Sequence, residues 1–211
     1  SRSRAGAVGL WQFMYATGKY FDLNIDSYID ERRDPIKSTQ AAVTYLNKLY
    51  GMYGDWYLAL AAYNAGPGNV NKAIRKSGGK KTYWEVRPYL PSETRSYVPA
   101  FIAANYIMNY ASEHNIYPTH PQFTYKDIDT VHVKYPVSFF QISEVLCLEF
   151  EQLVFLNPQY KKEFIPFKGE GDVKTLVLPF EFMGTYIVNE EYIANYKSPS
   201  EIESEMEKIS D

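Results

Sequence analysis

Asp55-Trp56-Tyr57-Leu58-Ala59-Leu60-Ala61-Ala62, running on into Tyr63-Asn64-Ala65-Gly66, is apolar on nearly every side. Such a run predicts a helix buried all round, the centre of a helical lobe. Gly66-Pro67-Gly68 stops it, and the proline restarts a short helix to about Lys76. Upstream, Asp34-Pro35 sets an N-cap before a proline at the first helical position, and Ile36, Val43, Leu46, Leu49 and Tyr53 recur at helical spacing, which predicts a long amphipathic helix. Downstream, Ser77-Gly78-Gly79-Lys80-Lys81 reads as a basic loop. A further helix is expected from Ser92 to about Ser112, with Pro99 in its early turns or at a kink.

The pattern changes after Pro118-Thr119-His120-Pro121. Thr130-Val131-His132-Val133 alternates like a short strand, and Ser138 can cap a helix carrying Phe139, Ile142 and Leu146. Phe150, Leu153 and Leu156 mark a second helix ending at Asn157-Pro158, and Lys174 to Pro179 reads as a second strand. The single cysteine, Cys147, falls in an apolar helical run and is expected in the core; with one cysteine no disulfide forms within the chain. The fold class is therefore α+β: an all-helical domain followed by a small βααβ domain. Ser198-Pro199-Ser200-Glu201 opens a polar tail with a capping-box start, read as a short exposed helix or a disordered segment without assigned function.

Three blocks stand in fixed order on this framework: Gly9-Leu10-Trp11-Gln12-Phe13-Met14, then Ala62-Tyr63-Asn64-Ala65-Gly66, then Pro91-Ser92-Glu93-Thr94-Arg95-Ser96-Tyr97-Val98-Pro99, with Asp30-Glu31-Arg32-Arg33-Asp34 between the first two. Each alone is weak; together they resemble lytic murein transglycosylases of the goose-lysozyme-like superfamily, glycoside hydrolase family 23, nearest the D-type enzymes. The resemblance covers approximately residues 1 to 115. It implies a lysozyme-like SLT fold for residues 1–123. Residues 124–184 resemble a LysM module through the strand, helix, helix, strand order and the pair Leu156-Asn157-Pro158 and Leu178-Pro179, and 185–211 are taken as an acidic tail. The LysM match is partial, because Lys134-Tyr135-Pro136-Val137 replaces the usual Gly-Asp-Thr turn and no Gly-Gln precedes the last strand. Glycan binding by this module is therefore not expected.

Cleaving a glycosidic bond requires a proton for the leaving oxygen and stabilisation of an oxocarbenium-like centre, commonly from two carboxylates. The resemblance implies a single glutamate, just before a Ser-x-x-Gly-Ala-x-Gly-Leu-x-Gln stretch and so upstream of Ser1. It protonates the leaving group, the substrate's N-acetyl oxygen stabilises the anomeric carbon, and the sugar's own 6-hydroxyl attacks to leave a 1,6-anhydro-muramyl end. No catalytic acid is then expected among the 211 residues. Ser3, Gln12, Tyr63, Asn64 and Tyr97 match the family's substrate-binding positions. Neutral donors suit a lone acid, since a second charge would move its pKa. Each has a plainer alternative: Gln12 and Asn64 as helix caps, Tyr63 and Tyr97 as core residues with bonded hydroxyls. Trp11, Phe13 and Met14 are open between groove and core. Glu93 sits at a helix start before Arg95, where a cap or ion pair would lower its pKa, opposite to a general acid's need.

Composition bounds the alternatives. Residues 1 to 118 hold 14 Lys and Arg against 9 Asp and Glu, whereas 119 to 211 hold 8 against 16, so a basic half precedes an acidic one. The basic residues are scattered, which suits an anionic wall polymer and excludes a nucleic-acid block. Twenty tyrosines and three tryptophans supply amphipathic surfaces suited to sugar rings. Asp22-Leu23-Asn24-Ile25-Asp26 resembles the start of a calcium loop, but Ser27 stands where glycine is needed and Arg33 where a glutamate ligand is needed. His114, His120 and His132 lack paired zinc spacing. No metal or cofactor is expected. The expected partner is the peptidoglycan strand, with no membrane span in this chain, a monomeric state, and a periplasmic or cell-envelope location by resemblance. Two other readings stay open: a non-catalytic wall-binding protein, and a goose-type lysozyme in which water attacks.

Overall fold

The computed structural model describes residues 2–197. Two compact units form: Thr39–His120 is one, and the residues up to Ser38 join those from Pro121 onward in the other.

In the Thr39–His120 unit the central helix is α3, Trp56–Ala65; α2, Pro35–Tyr53, begins before this unit and runs into it, and the short α1, Tyr15–Tyr20, belongs to the other. Asp55 caps α3 by accepting from the Leu58 N–H at 2.8 Å. Leu58, Ala59, Ala61 and Ala62 are buried, so small residues let α4, Pro67–Lys76, and α6, Ser92–Asn109, approach closely. Leu49, Val70, Tyr83, Val86 and Val98 complete this core. Asp34 Oδ1 caps α2 through the Ile36 and Lys37 N–H groups. The buried stripe of α2 differs from the expected one: Ile36 and Val43 are about half exposed, and Ser38, Ala41, Ala42 and Leu49 face inward. Short side chains were wanted there, and a search for bulky residues passes over them. The one-turn α5, Tyr83–Val86, was also not foreseen.

In the other unit, β1, Ile128–Val133, pairs antiparallel with β4, Lys174–Pro179, placing Val131 opposite Leu176. A second small sheet joins β2, Val137–Ser138, to β3, Phe164–Ile165. Between them lie α7, Phe139–Leu146, and α8, Phe150–Leu156. Ser138 and Gln141 form a full capping box at α7. Asn157 is fully buried and joins α8 to β4: its Nδ2 donates to the carbonyls of Leu153 and Val177, and its Oδ1 accepts from the Val177 N–H at 2.8 Å. The Leu-Asn-Pro element thus has a direct structural use.

Two features differ from those expected of the sequence. Cys147 is exposed, because it ends α7 in the left-handed conformation, φ 53°, which turns it out of the apolar stripe. The acidic tail expected from 185 begins later, because α9, Phe180–Asn195, continues the fold and buries Tyr186 and Ile193 in the same core as Phe139 and Leu176. The capping-box start at Ser198 lies outside the described residues.

Candidate functional site

The second and third blocks meet within the Thr39–His120 unit. Asn64, in the last turn of α3, is half-buried; its Oδ1 accepts from Thr94 Oγ1 at 2.8 Å, and its Nδ2 donates to Glu93 Oε1 at 3.3 Å. Among the described residues no ion pair joins Glu93 to Arg95, so the carboxylate faces the Asn64 amide. Thr94 is 1% exposed and was not singled out in the sequence, although it stands inside the third block. Its carbonyl and that of Arg95 accept from the buried Tyr83 hydroxyl, at 3.4 and 3.0 Å, which fixes the first turn of α6.

Tyr63 precedes Asn64 and stacks obliquely on Tyr45, ring centroids 5.3 Å apart. Burial, then the neighbouring hydroxyls of Tyr97 and Tyr45, push the Tyr63 phenol well above its ordinary range. Burial likewise raises Tyr97. Both phenols are therefore neutral donors across the whole range in which a protein works. The cluster offers one amide, two phenols and one carboxylate.

Ser3 and Gln12 belong to the other unit. Ser3 closes a turn, its Oγ accepting from the Ala7 N–H at 2.9 Å. Gln12 is exposed, has φ 51° in the left-handed region, and donates from Nε2 to the Gly9 carbonyl at 2.7 Å. A non-glycine residue with positive φ is uncommon and often marks a functional turn. Phe13 is 2% exposed and packs near Phe21, which places it in the core, whereas Met14 is about half exposed.

This loop is held by a buried ion pair. Arg32 donates from Nε and Nη2 to the two Asp30 oxygens at 2.9 and 2.8 Å, and from Nη1 to the carbonyls of Phe13, 3.1 Å, and Gly6, 3.3 Å. Burial works against ionisation of Asp30, but the Arg32 bonds and charge outweigh it and hold the carboxyl below its ordinary value. Gly9 has φ 83°, and a Cβ there would fall 1.7 Å from the Arg32 carbonyl oxygen, so only glycine fits. Asp26, from the calcium-like stretch, spends its Oδ1 on the N–H groups of Tyr28 and Ile29. Among the described residues no group of three or more acidic, histidine or cysteine side chains is placed to hold a metal. A small cavity of about 50 Å³ beside Asn24, Glu31, Lys37 and Lys174 has room for water but is far below the roughly 300 Å³ at which small-molecule sites begin.

A helical lobe carrying these blocks, with a βααβ module after it, defines a lysozyme-like domain joined to a LysM-like one. Residues 1–85 match the family described as the transglycosylase SLT domain, and residues 127–195 match the LysM-like domain of the lytic transglycosylase MltD. The chain is 34% identical over 164 residues to the membrane-bound lytic murein transglycosylase D of Escherichia coli K12, covering 75% of this chain and 35% of that protein. It is also 34% identical over 110 residues to the soluble lytic murein transglycosylase of the same strain, covering 48% of this chain and 17% of that one. The chain thus matches two domains described from lytic transglycosylases and is similar to these enzymes, and it spans about a third or less of the length of these relatives.

Proposed function

We propose that this chain forms the substrate-holding part of a peptidoglycan lytic transglycosylase, which cleaves the MurNAc-GlcNAc β-1,4 bond and leaves a 1,6-anhydro-MurNAc end. The observation that carries it is the meeting of Tyr63, Asn64, Thr94 and Tyr97 at the α3 end and α6 start, a group of neutral donors and acceptors with the Glu93 carboxylate at its edge. Such a surround brings no cation that would lower a lone acid's pKa, which leaves the acid able to donate a proton. Its phenols and amide suit the N-acetyl and hydroxyl groups of an amino sugar. Ser3 and Gln12 are assigned to the same task from the first block, and the transglycosylase module is taken as residues 1–123.

The proton donor in this reading is a glutamate just ahead of the first block. The 211 residues alone are then inactive, and Glu93 does not replace it. The setting is the bacterial cell envelope, on the periplasmic side, with the peptidoglycan strand as partner and a monomer as the acting species. No described helix is long and apolar enough to cross a membrane.

The test compares the 211-residue chain with a version extended upstream through that glutamate, each incubated with purified sacculi. Mass spectrometry should find products about 18 Da lighter than hydrolysed ones, the mass of the water not added, only for the extended version. Hydrolysed ends from the extended version would assign it to the lysozymes. Release of either product by the shorter chain would remove the assignment of the acid.

A further inference from the structure

Residues 26–30 are built into the LysM-like domain. Ile29, 3% exposed, lies in one core with Val133, Phe139, Tyr160 and Leu176. Its backbone bridges to Tyr160, the Asp30 N–H donates to the Gln159 carbonyl at 2.8 Å, and the Lys161 N–H donates to the Tyr28 carbonyl at 2.7 Å. The Lys161 ammonium also bonds the Asp26 carbonyl. The Tyr28 ring sits 6.0 Å from that of Phe164 and carries the Lys162 ammonium over its face at 4.5 Å. One turn further along the chain, Asp30 grips Arg32, and Arg32 grips the first block at the Gly6 and Phe13 carbonyls while its own carbonyl fills the space above Gly9.

The loop closes on itself through local bonds, Ser3 with Ala7 and Gly6, Val8 with Phe13, and Gln12 with Gly9, but forms no regular element. Gly6, Gly9 and Gln12 all have positive φ, and its internal ladder consists of isolated bridges, Arg2 to Val8 and Val8 to Phe13. The glycines take this conformation freely, but Gln12 does not, and a non-glycine residue there persists where surrounding groups over-determine it. Arg32 supplies that restraint through a planar fork, two nitrogens on a carboxylate and a third on two carbonyls, which a lysine ammonium cannot reproduce.

We propose that Arg32 is the positioning residue of the Gly6–Phe13 loop, and that the LysM-like domain sets that position by holding Ile29 and Asp30. The domain's contribution to the reaction is then mechanical: it fixes the turn that presents Gln12. This rests on the proposed function only in taking Gln12 as a glycan contact.

Hydrogen exchange in the whole 211-residue chain tests it without requiring activity. The Val8 N–H donates to the Phe13 carbonyl at 3.2 Å and so reports loop closure. Arg32→Lys should speed Val8 exchange on the order of tenfold or more while the β1–β4 ladder amides keep theirs. Ile29→Ala, or Ile29→Val if alanine unfolds the unit, should loosen Val8 together with that ladder. Unchanged Val8 exchange in either variant overturns the proposal. A second readout separates positioning from bulk stability: Arg32→Lys should abolish the chemical-shift response of Gln12 to chitooligosaccharide while the responses of Tyr63 and Asn64 persist, and a retained Gln12 response overturns it. If the unaltered chain shows no glycan response anywhere, the proposed function fails, and the exchange result still decides the mechanical link.

Discussion

Thr94 Oγ1 donates to Asn64 Oδ1 at 2.8 Å while Glu93 Oε1 accepts from Asn64 Nδ2, and the two bonds together fix the Asn64 amide. A carboxylate oxygen faces the amide nitrogen and a hydroxyl the amide oxygen, so the second and third sequence blocks become one arrangement. Thr94→Val keeps the volume and removes the donor. It should cost about 1–2 kcal/mol in urea unfolding and lower the rate of the upstream-extended enzyme about tenfold or more, because an amide held only through Glu93 is less well positioned. A Thr94→Ser variant should recover most of the rate. Full activity in Thr94→Val would show that the Asn64 orientation is immaterial.

The close approach at Gly9 gives a second expectation. Gly9→Ala places a methyl 1.7 Å from a carbonyl oxygen in a left-handed residue, so the backbone must move and Arg32 with it. Destabilisation of more than about 3 kcal/mol is expected, with the first block released. Gly78→Ala is the control: it has similar φ, 79°, but open space, and should cost only about 1 kcal/mol. Equal costs in urea melts would mean that the contact with Arg32 is relaxed at no expense.

Acid should weaken the Asp30–Arg32 pair in a defined direction. The folded-state pKa of Asp30 lies below its ordinary value of 3.8, so its stabilisation is complete above that value and is lost as pH falls through the lower, folded value. Asp30→Asn leaves a buried guanidinium without its counter-charge and should cost about 3–5 kcal/mol at pH 7. That difference from the natural chain should stay level between about pH 5 and 8 and shrink in more acidic solution. Melting curves that diverge further in acid would contradict the assignment.

Much of the fold was legible because local signals carried it. The caps at Asp34, Asp55 and Ser138, the proline at position 67 and the alternation in β1 and β4 each act within four residues, and the structure places elements there. What escaped notice depends on distance or on packing. The run 180–195 contains Gly184, Thr185 and Val188 and has no clear apolar stripe, so α9 does not announce itself, and its buried Glu190 reads as a surface acid until Lys134 is seen beside it. Ile29 belongs to a core whose other members begin more than a hundred residues later, which no periodicity reveals. The candidate site was readable only as blocks: residue types pointed to the chemistry, but the Thr94 link and the Arg32 clamp required coordinates.

Asn157 permits a test of the LysM-like core with its own pH signature. Asn157→Asp preserves shape but turns a carboxylate toward the Leu153 and Val177 carbonyls, in place of an NH₂ that donates to both. Burial beside two acceptors should raise the pKa of the new acid, so the variant is least stable at neutral pH and recovers as pH falls and the carboxyl regains a donor. At pH 7 the loss should be about 2–4 kcal/mol by thermal unfolding. A variant whose relative stability instead declined in acid would place this side chain in contact with water.

The LysM-like domain should not respond to glycan, and the structure gives the reason loop by loop. In a LysM module the sugar lies against the connection from first strand to first helix and against that from second helix to second strand. Here the first connection is closed by α9: Glu190, 7% exposed, accepts from the Lys134 N–H at 2.7 Å and pairs with its ammonium at 3.4 Å, while Gln141 reaches the Ala194 and Tyr196 carbonyls. The start of the second connection is bound to residues 26–30 through the backbone bonds of Gln159 and Lys161. Part of each connection is thus committed to the protein's own chain, and a net acidic half would in addition repel anionic wall polymers. Titrating the whole chain with chitooligosaccharide should leave the resonances of residues 134–137 and 157–174 unmoved at concentrations that shift Tyr63 and Asn64. Saturable shifts confined to the two connections would instead make this domain the glycan-binding module and reduce its hold on Ile29 to a secondary contact.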